Sequence, residues 1–155
     1  MSSIKKNIKI GIKVNKSVKI GIVKSVYNSE ITDALYSSCK HELIKGGVLE
    51  KNIQTMEVPG AFELPFGCKK MAKSEKIDAI IALGAIIKGE TPHFDIIANA
   101  CAKGIMKISI KSGTPIVFGV LTTNNLAQAK ARIKGGKRGD KGVEAALTAL
   151  HMSIL

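Results

Sequence analysis

Apolar residues in this chain gather into short continuous stretches, and between those stretches they recur at helical spacing. "VKIGIVK" (18–24) is a β-branched run that predicts a strand, followed by polar "SVYNSE" and a helical stretch from Ile31 to Lys45 that "GG" at 46–47 ends. "IQTMEV" (53–58) predicts a second strand, stopped by Pro59 and Gly60. Pro65 lacks an N–H and belongs in a first helical turn, so the next helix starts no earlier than a cap at Phe62. "IDAIIALG" (77–84) is a continuous apolar run after Asp78, as a strand covered on both faces requires. Phe94, Ile97, Cys101, Ile105 and Ile108 then mark one face of a long helix that runs to "KSG" at 111–113. "TPIVFGVL" (114–121) gives a fourth strand, "NNLAQAKARI" a short helix and "KGVEAALTALHM" a last one. Near the start, "IKIGIKV" (8–14) alternates apolar and basic residues, a pattern suited to an edge strand that could add to a neighbouring subunit.

Repeated βα order predicts an α/β fold, a three-layer αβα sandwich around a four-stranded parallel sheet. Residues 1–17 read as an N-terminal arm and 18–155 as a single domain, which 155 residues with 45% hydrophobic content can fold around one core. No apolar run reaches the roughly 18 residues of a bilayer span, and the N-terminus has no uninterrupted apolar segment followed by a cleavage site, so the expectation is a cytoplasmic protein away from membranes. Cys39, Cys68 and Cys101 are odd in number and far apart, with no CxxC or Cys/His ligand spacing. They read as buried apolar thiols, and no metal site is expected. The net charge of +12 raises the question of nucleic acid, yet the lysines are scattered and the aromatics form no stacking motif. An anionic small molecule is the better match for that charge.

In parallel α/β sheets, ligands bind beyond the carboxyl ends of the strands. Here those ends carry "SVYN", "VPGAFELP", "GAIIKGETPHFD" and "TTNN". Thr91 as N-cap and Pro92 as first helical residue would put "GET" at a helix N-terminus, whose free N–H groups and positive dipole end attract phosphate. His93 then falls in the first turn beside the anion, where an imidazole can exchange protons; spacing alone also allows a surface histidine near a cap. Glu63 could equally complement a helix N-terminus, and Tyr27 and Phe62 could be ordinary rim aromatics. "GGKRGDKG" (135–142) follows a helix and lacks P-loop spacing, so it reads as a flexible basic connection able to reach an anion.

"VPGAFELP", "GAIIKGETPHFD", "PIVFGVLTTNN" and "KG.EAA" at 141–146 resemble, in order and spacing, the lumazine synthase family, and the likeness runs from Val18 to Met152. It implies a flavodoxin-like fold and the condensation of 5-amino-6-ribitylaminouracil with 3,4-dihydroxy-2-butanone 4-phosphate, releasing phosphate and water. No cofactor or metal is implied. Tyr27 matches the aromatic that stacks on the pyrimidine, followed by Asn28. Ala61, Phe62 and Glu63 match the segment around the ribityl chain, and Ala85, Ile86 and Ile87 the backbone that reads the pyrimidine edge. Gly89, Glu90 and Thr91 match the phosphate turn, Arg132 the phosphate-binding arginine and His93 the proton-transfer residue. Phe118 and Lys141 match groups that a neighbouring subunit contributes, which implies a homo-oligomer, either a pentamer or a sixty-subunit shell, with riboflavin synthase as an implied partner.

Three positions depart from the family's usual pattern. Tyr27 adds a hydroxyl to the stacking ring, Pro92 stiffens the phosphate turn, and Asp140 stands where Asn is usual; the stretch from Arg132 to Lys141 is one residue longer. Against the resemblance stand a flavodoxin-like flavin- or nucleotide-binding module and a nucleic-acid binder. The first would need a phosphate loop after the first strand, and "KSVYNSE" lacks its composition.

Overall fold

The computed structural model describes residues 11–74 and 76–155. Strands and helices alternate: β1 (Ile20–Ser25), α1 (Ser29–Lys45), β2 (Ile53–Val58), α2 (Leu64–Lys73), β3 (Ala79–Ile87), α3 (His93–Ser112), β4 (Ile116–Thr123), α4 (Leu126–Lys130) and α5 (Lys141–Met152). The strands form one parallel sheet in the order β2-β1-β3-β4. Alternation along the strands divides the core in two. Ile20, Ile22, Ile81 and Leu83 pack with Leu35, Leu43 and Leu150 of α1 and α5. Val23, Ile80 and Ala82 meet Leu64, Cys68, Cys101 and Ile105 of α2 and α3 on the opposite face. β1 is buried along its whole length, which is why its sequence reads as a run rather than an alternation.

One expectation needs correction. β3 continues past Gly84 to Ile87, because its register with β4 carries on from Gly84↔Val120 to Ile87↔Thr123. Of the edge strand expected at 8–14 to add to a neighbouring subunit, residues 8–10 lie outside the described residues, and residues 11–14 join no strand of their own chain. Instead the Val14 N–H donates to the Gly46 carbonyl at 2.9 Å, and Ile12 packs against the α1–α5 core. This stretch therefore seals the end of α1.

All three cysteines are buried and free. Burial pushes the Cys39 and Cys68 thiols up to about 12 and Cys101 to about 11, so they behave as apolar core groups. Lys24 is a buried cation, whose ammonium pairs with Asp33 and with Glu57 and lies 5.6 Å from the centre of the Tyr36 ring. Burial alone would lower its pKa; the two carboxylates outweigh that and raise it. Among the described residues no helix is long and apolar enough to cross a membrane, and no three His, Cys, Asp or Glu side chains gather as metal ligands would.

Candidate active site

A cleft of about 770 Å³ opens beyond the carboxyl ends of β1, β2 and β3. The β1–β2 ladder builds one wall by continuing past the strands: Val26 N–H donates to the Val58 carbonyl and Tyr27 N–H to the Pro59 carbonyl, both at 2.9 Å. The two loops thus turn outward together. They carry Tyr27 (73% exposed) and Phe62 (57% exposed), two rings held in water at the rim. Ala61, Phe62 and Glu63 form a single 3₁₀ turn ahead of α2, with Pro65 in the first turn of that helix. Glu63 reaches back so that its Oε2 accepts the Gly60 N–H at 3.0 Å. That bond fixes the carboxylate and leaves Oε1 available to a ligand hydroxyl.

The cleft floor follows from unequal strand lengths. β3 pairs with β1 only as far as Lys24↔Leu83 but with β4 as far as Ile87↔Thr123. Beyond Leu83, the β1 side of β3 has no strand against it, so the peptide groups of Ala85, Ile86 and Ile87 border the cleft. Asn28 occupies part of that gap. Its Nδ2 donates to the Ala85 carbonyl at 2.8 Å, while its backbone adopts the left-handed conformation (φ 59°) and its carbonyl accepts the Ile31 and Thr32 N–H groups. Asparagine tolerates that conformation better than most residues, and here it ties the start of α1 to the end of β3.

At the far wall, Gly89 and Thr91 line the cleft beside exposed His93. Helix α3 begins one residue later than expected: Pro92 is the N-cap, its carbonyl accepts from Asp95 and Ile96, and the Thr91 hydroxyl accepts the His93 N–H at 3.4 Å. Gly89 has no positive φ, and a Cβ there would meet nothing within 4 Å. Glu90 is exposed in the same turn but does not line the cleft. Pro59, Phe94, Ile97 and Leu126 also line it and were not singled out from the sequence. Phe94 and Ile97 lie on the helical stripe that marks core, which hid their second role.

Phe118, Arg132 and Lys141 are elsewhere. They line a separate concavity of about 920 Å³ between the free edge of β4 and α5, along with Lys137, Arg138 and Glu144. Arg132 was expected with the α3 N-terminus as one phosphate site; in a single chain the two do not meet. The reason is the path of the chain, since α4 leads away from the end of β4 and returns along its edge to α5. Arg132 Nη1 donates to the Gln128 carbonyl at 2.9 Å, and Lys141 Nζ pairs with Glu144 Oε2 at 2.6 Å. Asp140 is the N-cap of α5: its Oδ1 accepts the Gly142 and Val143 N–H groups, and its charge suits the helix dipole.

Comparison with known proteins shows the family. The family model described as 6,7-dimethyl-8-ribityllumazine synthase matches residues 17–155. A relative from Christiangramia forsetii, named 6,7-dimethyl-8-ribityllumazine synthase, is 45% identical over 141 residues, covering 90% of this chain and 83% of its own length. With a match spanning both the cleft residues and the β4–α5 concavity, the chain belongs to the 6,7-dimethyl-8-ribityllumazine synthase family.

Proposed function

We propose that the active centre of this synthase is assembled from two chains, the cleft at the ends of β1, β2 and β3 in one closing against the β4–α5 concavity of the next. The activity is that of the family, formation of 6,7-dimethyl-8-ribityllumazine in riboflavin biosynthesis, with small-molecule substrates and assembly from identical chains. The reactants are 5-amino-6-ribitylaminouracil and 3,4-dihydroxy-2-butanone 4-phosphate, and phosphate and water leave.

One observation carries this reading. Among the described residues no lysine or arginine lines the first cleft, although the reaction brings in and releases a phosphate. The side chains that would bind it, with the aromatic Phe118, line the other concavity. A phosphate monoester carries a charge of about −1.5 to −2 near neutral pH and needs both a counter-charge and N–H donors. Joining the two surfaces supplies them.

In the joined site the pyrimidine stacks on Tyr27, with Phe118 of the adjoining chain covering its other side. Its edge meets the peptide groups of Ala85, Ile86 and Ile87 beside Asn28, and Lys141 of the adjoining chain approaches from the rim. The ribityl hydroxyls donate to Glu63 Oε1 and meet the Ala61–Phe62 backbone. The phosphate rests on the backbone of the turn Gly89, Glu90 and Thr91, at the positive end of the α3 dipole, and Arg132 of the adjoining chain supplies a guanidinium. Gly89 supports this, since nothing within the chain demands a glycine there, whereas close approach of a phosphate to its backbone does.

The chemistry then asks for modest help. The 5-amino group attacks the ketone carbonyl and a first water leaves to give an imine; phosphate is eliminated, and the ribitylamino nitrogen closes the ring on the carbonyl that results, expelling a second water. Each step moves a proton, and His93 beside the phosphate turn takes and returns it. Holding two reactants on one aromatic platform contributes most of the rate. The assembly is a ring of five chains, from which a sixty-chain shell is built. Apolar side chains left in water on α3, Ile96 (61% exposed), Met106 (61%) and Ile110 (75%), support an interface along that helix.

Steady-state kinetics on Glu63→Ala test the division of labour. The variant is expected to raise KM for the ribitylaminopyrimidine by about tenfold, as loss of a charge-assisted hydrogen bond worth about 1.5 kcal/mol implies. An unchanged pyrimidine KM removes Glu63 from substrate binding.

A further inference from the structure

The connection between α4 and α5 is not the flexible tether that "GGKRGDKG" implies. Gly136 N–H donates to the Ile133 carbonyl at 2.8 Å, Arg138 N–H to the Ala131 carbonyl at 2.7 Å and Lys141 N–H to the Arg132 carbonyl at 2.9 Å. The fold-back is tight enough that a Cβ on Gly136 would lie 2.4 Å from the carbonyl carbon and oxygen of Ala131. These bonds pin residue 138 against residue 131, directly beside Arg132, and both arginines line the β4–α5 concavity.

The charges there are unbalanced. Lys141 is already paired with Glu144, and Arg132 has committed Nη1 to the Gln128 carbonyl, which anchors its guanidinium. Among the described residues, Arg132, Lys137 and Arg138 have no carboxylate partner, so cations converge on one wall with no described carboxylate to neutralise them. Mutual repulsion makes such a wall a receptor for a multiply charged anion. A single guanidinium neutralises about half of a phosphate monoester dianion.

We infer that Arg138 is a specificity-determining residue, a second guanidinium that binds the phosphate monoester of the four-carbon substrate beside Arg132 and favours it over an unphosphorylated ketone. Arg138 is the better of the two remaining cations for this role, because its own N–H is fastened beside Arg132 and its planar fork can take two phosphate oxygens at once. The inference rests on the reading that this concavity faces the phosphate.

The test compares Arg138→Gln, Arg138→Lys and Arg132→Gln for the KM of each substrate and for competitive inhibition by inorganic phosphate. Arg138 is exposed, so its replacement leaves the fold intact. Arg138→Gln is expected to raise both the KM of the phosphorylated ketone and the inhibition constant of phosphate by about 5- to 20-fold, with a smaller change in kcat and in the pyrimidine KM. Arg138→Lys recovers part of the loss, which a purely structural role would not predict. If Arg138→Gln changes neither constant while Arg132→Gln raises both, Arg138 is excluded and the phosphate reading stands. If Arg132→Gln also changes neither, the concavity does not face phosphate and both ideas fall. Equal increases in the KM of both substrates with Arg138→Gln would reassign the loop to assembly and overturn the inference.

Discussion

Asn28 joins three features in one residue, and substitution separates the side-chain bond from the backbone conformation. Its amide donates to the Ala85 carbonyl at 2.8 Å, its backbone sits at φ 59°, and its carbonyl accepts the first N–H groups of α1. Alanine loses the amide and is forced into the left-handed region, which costs about 1 kcal/mol or slightly more. Loss of the part-buried hydrogen bond adds about 1 to 1.5 kcal/mol. Asn28→Ala should therefore destabilise the chain by about 2 to 3 kcal/mol. Asn28→Gly removes the amide without the left-handed penalty and should cost about 1 kcal/mol less than alanine. Asn28→Asp tolerates the same φ but sets a carboxylate oxygen against the Ala85 carbonyl, so it should be at least as harmful as glycine. Urea unfolding at one fixed chain concentration gives these differences, since the protein is an assembly. All three should also raise the pyrimidine KM, because the Ala85 peptide is part of the cleft floor. Stabilities within about 0.5 kcal/mol of the parent for both Ala and Gly would refute the clamp. So would an Asp variant as stable as the parent.

Other consequences are more quickly stated. His93→Ala should lower kcat by about 10²- to 10³-fold without abolishing turnover, because water can carry protons in its place; an unchanged single-turnover rate would remove His93 from the mechanism. Gly89→Ala should leave stability unchanged, since its Cβ would meet nothing within 4 Å, yet raise the KM of the phosphorylated ketone several-fold; an unchanged KM would mean that the phosphate does not approach this backbone. The buried thiols sit at about 11 to 12 against an ordinary value of 9.0, so the folded chain holds those protons longer than the unfolded one. Their contribution to stability is complete below about pH 9 and declines as pH rises towards 11, which urea midpoints from pH 8 to 10.5 will follow; rapid reaction of the folded protein with a thiol reagent at pH 8 would contradict it.

Most of the scaffold was legible because its signals are local. The buried strands are β-branched runs, Pro65 fixed the first turn of α2, and "GG" at 46–47 marked the end of α1. What the sequence concealed depends on contacts between distant segments. The extension of β3 to Ile87 exists because β4 runs alongside it, and "GAII" by itself looks like the start of a loop. The alternation in "IKIGIKV" predicts a strand, but Val14 finds its hydrogen-bond partner at the end of α1 instead. The separation of Arg132 from His93 has no local signal, since it follows from β4 being an edge and α4 turning back along it. Likewise, a glycine-rich basic stretch reads as mobile until the bonds from Gly136, Arg138 and Lys141 are seen.

Sharing of the site between chains is tested most directly by subunit mixing. Glu63→Ala damages only the cleft and Arg132→Ala only the β4–α5 concavity, so each variant alone has impaired sites throughout. Unfolded together in equal amounts and refolded, they should form mixed assemblies in which about a quarter of the interfaces unite an intact cleft with an intact concavity. With both substrates well below the parent's KM values, lumazine formation should then rise to about a quarter of the parent's specific activity, well above either variant refolded alone. Activity that stays at the average of the two variants, in assemblies verified to contain both chains, would mean that each chain carries its own complete site.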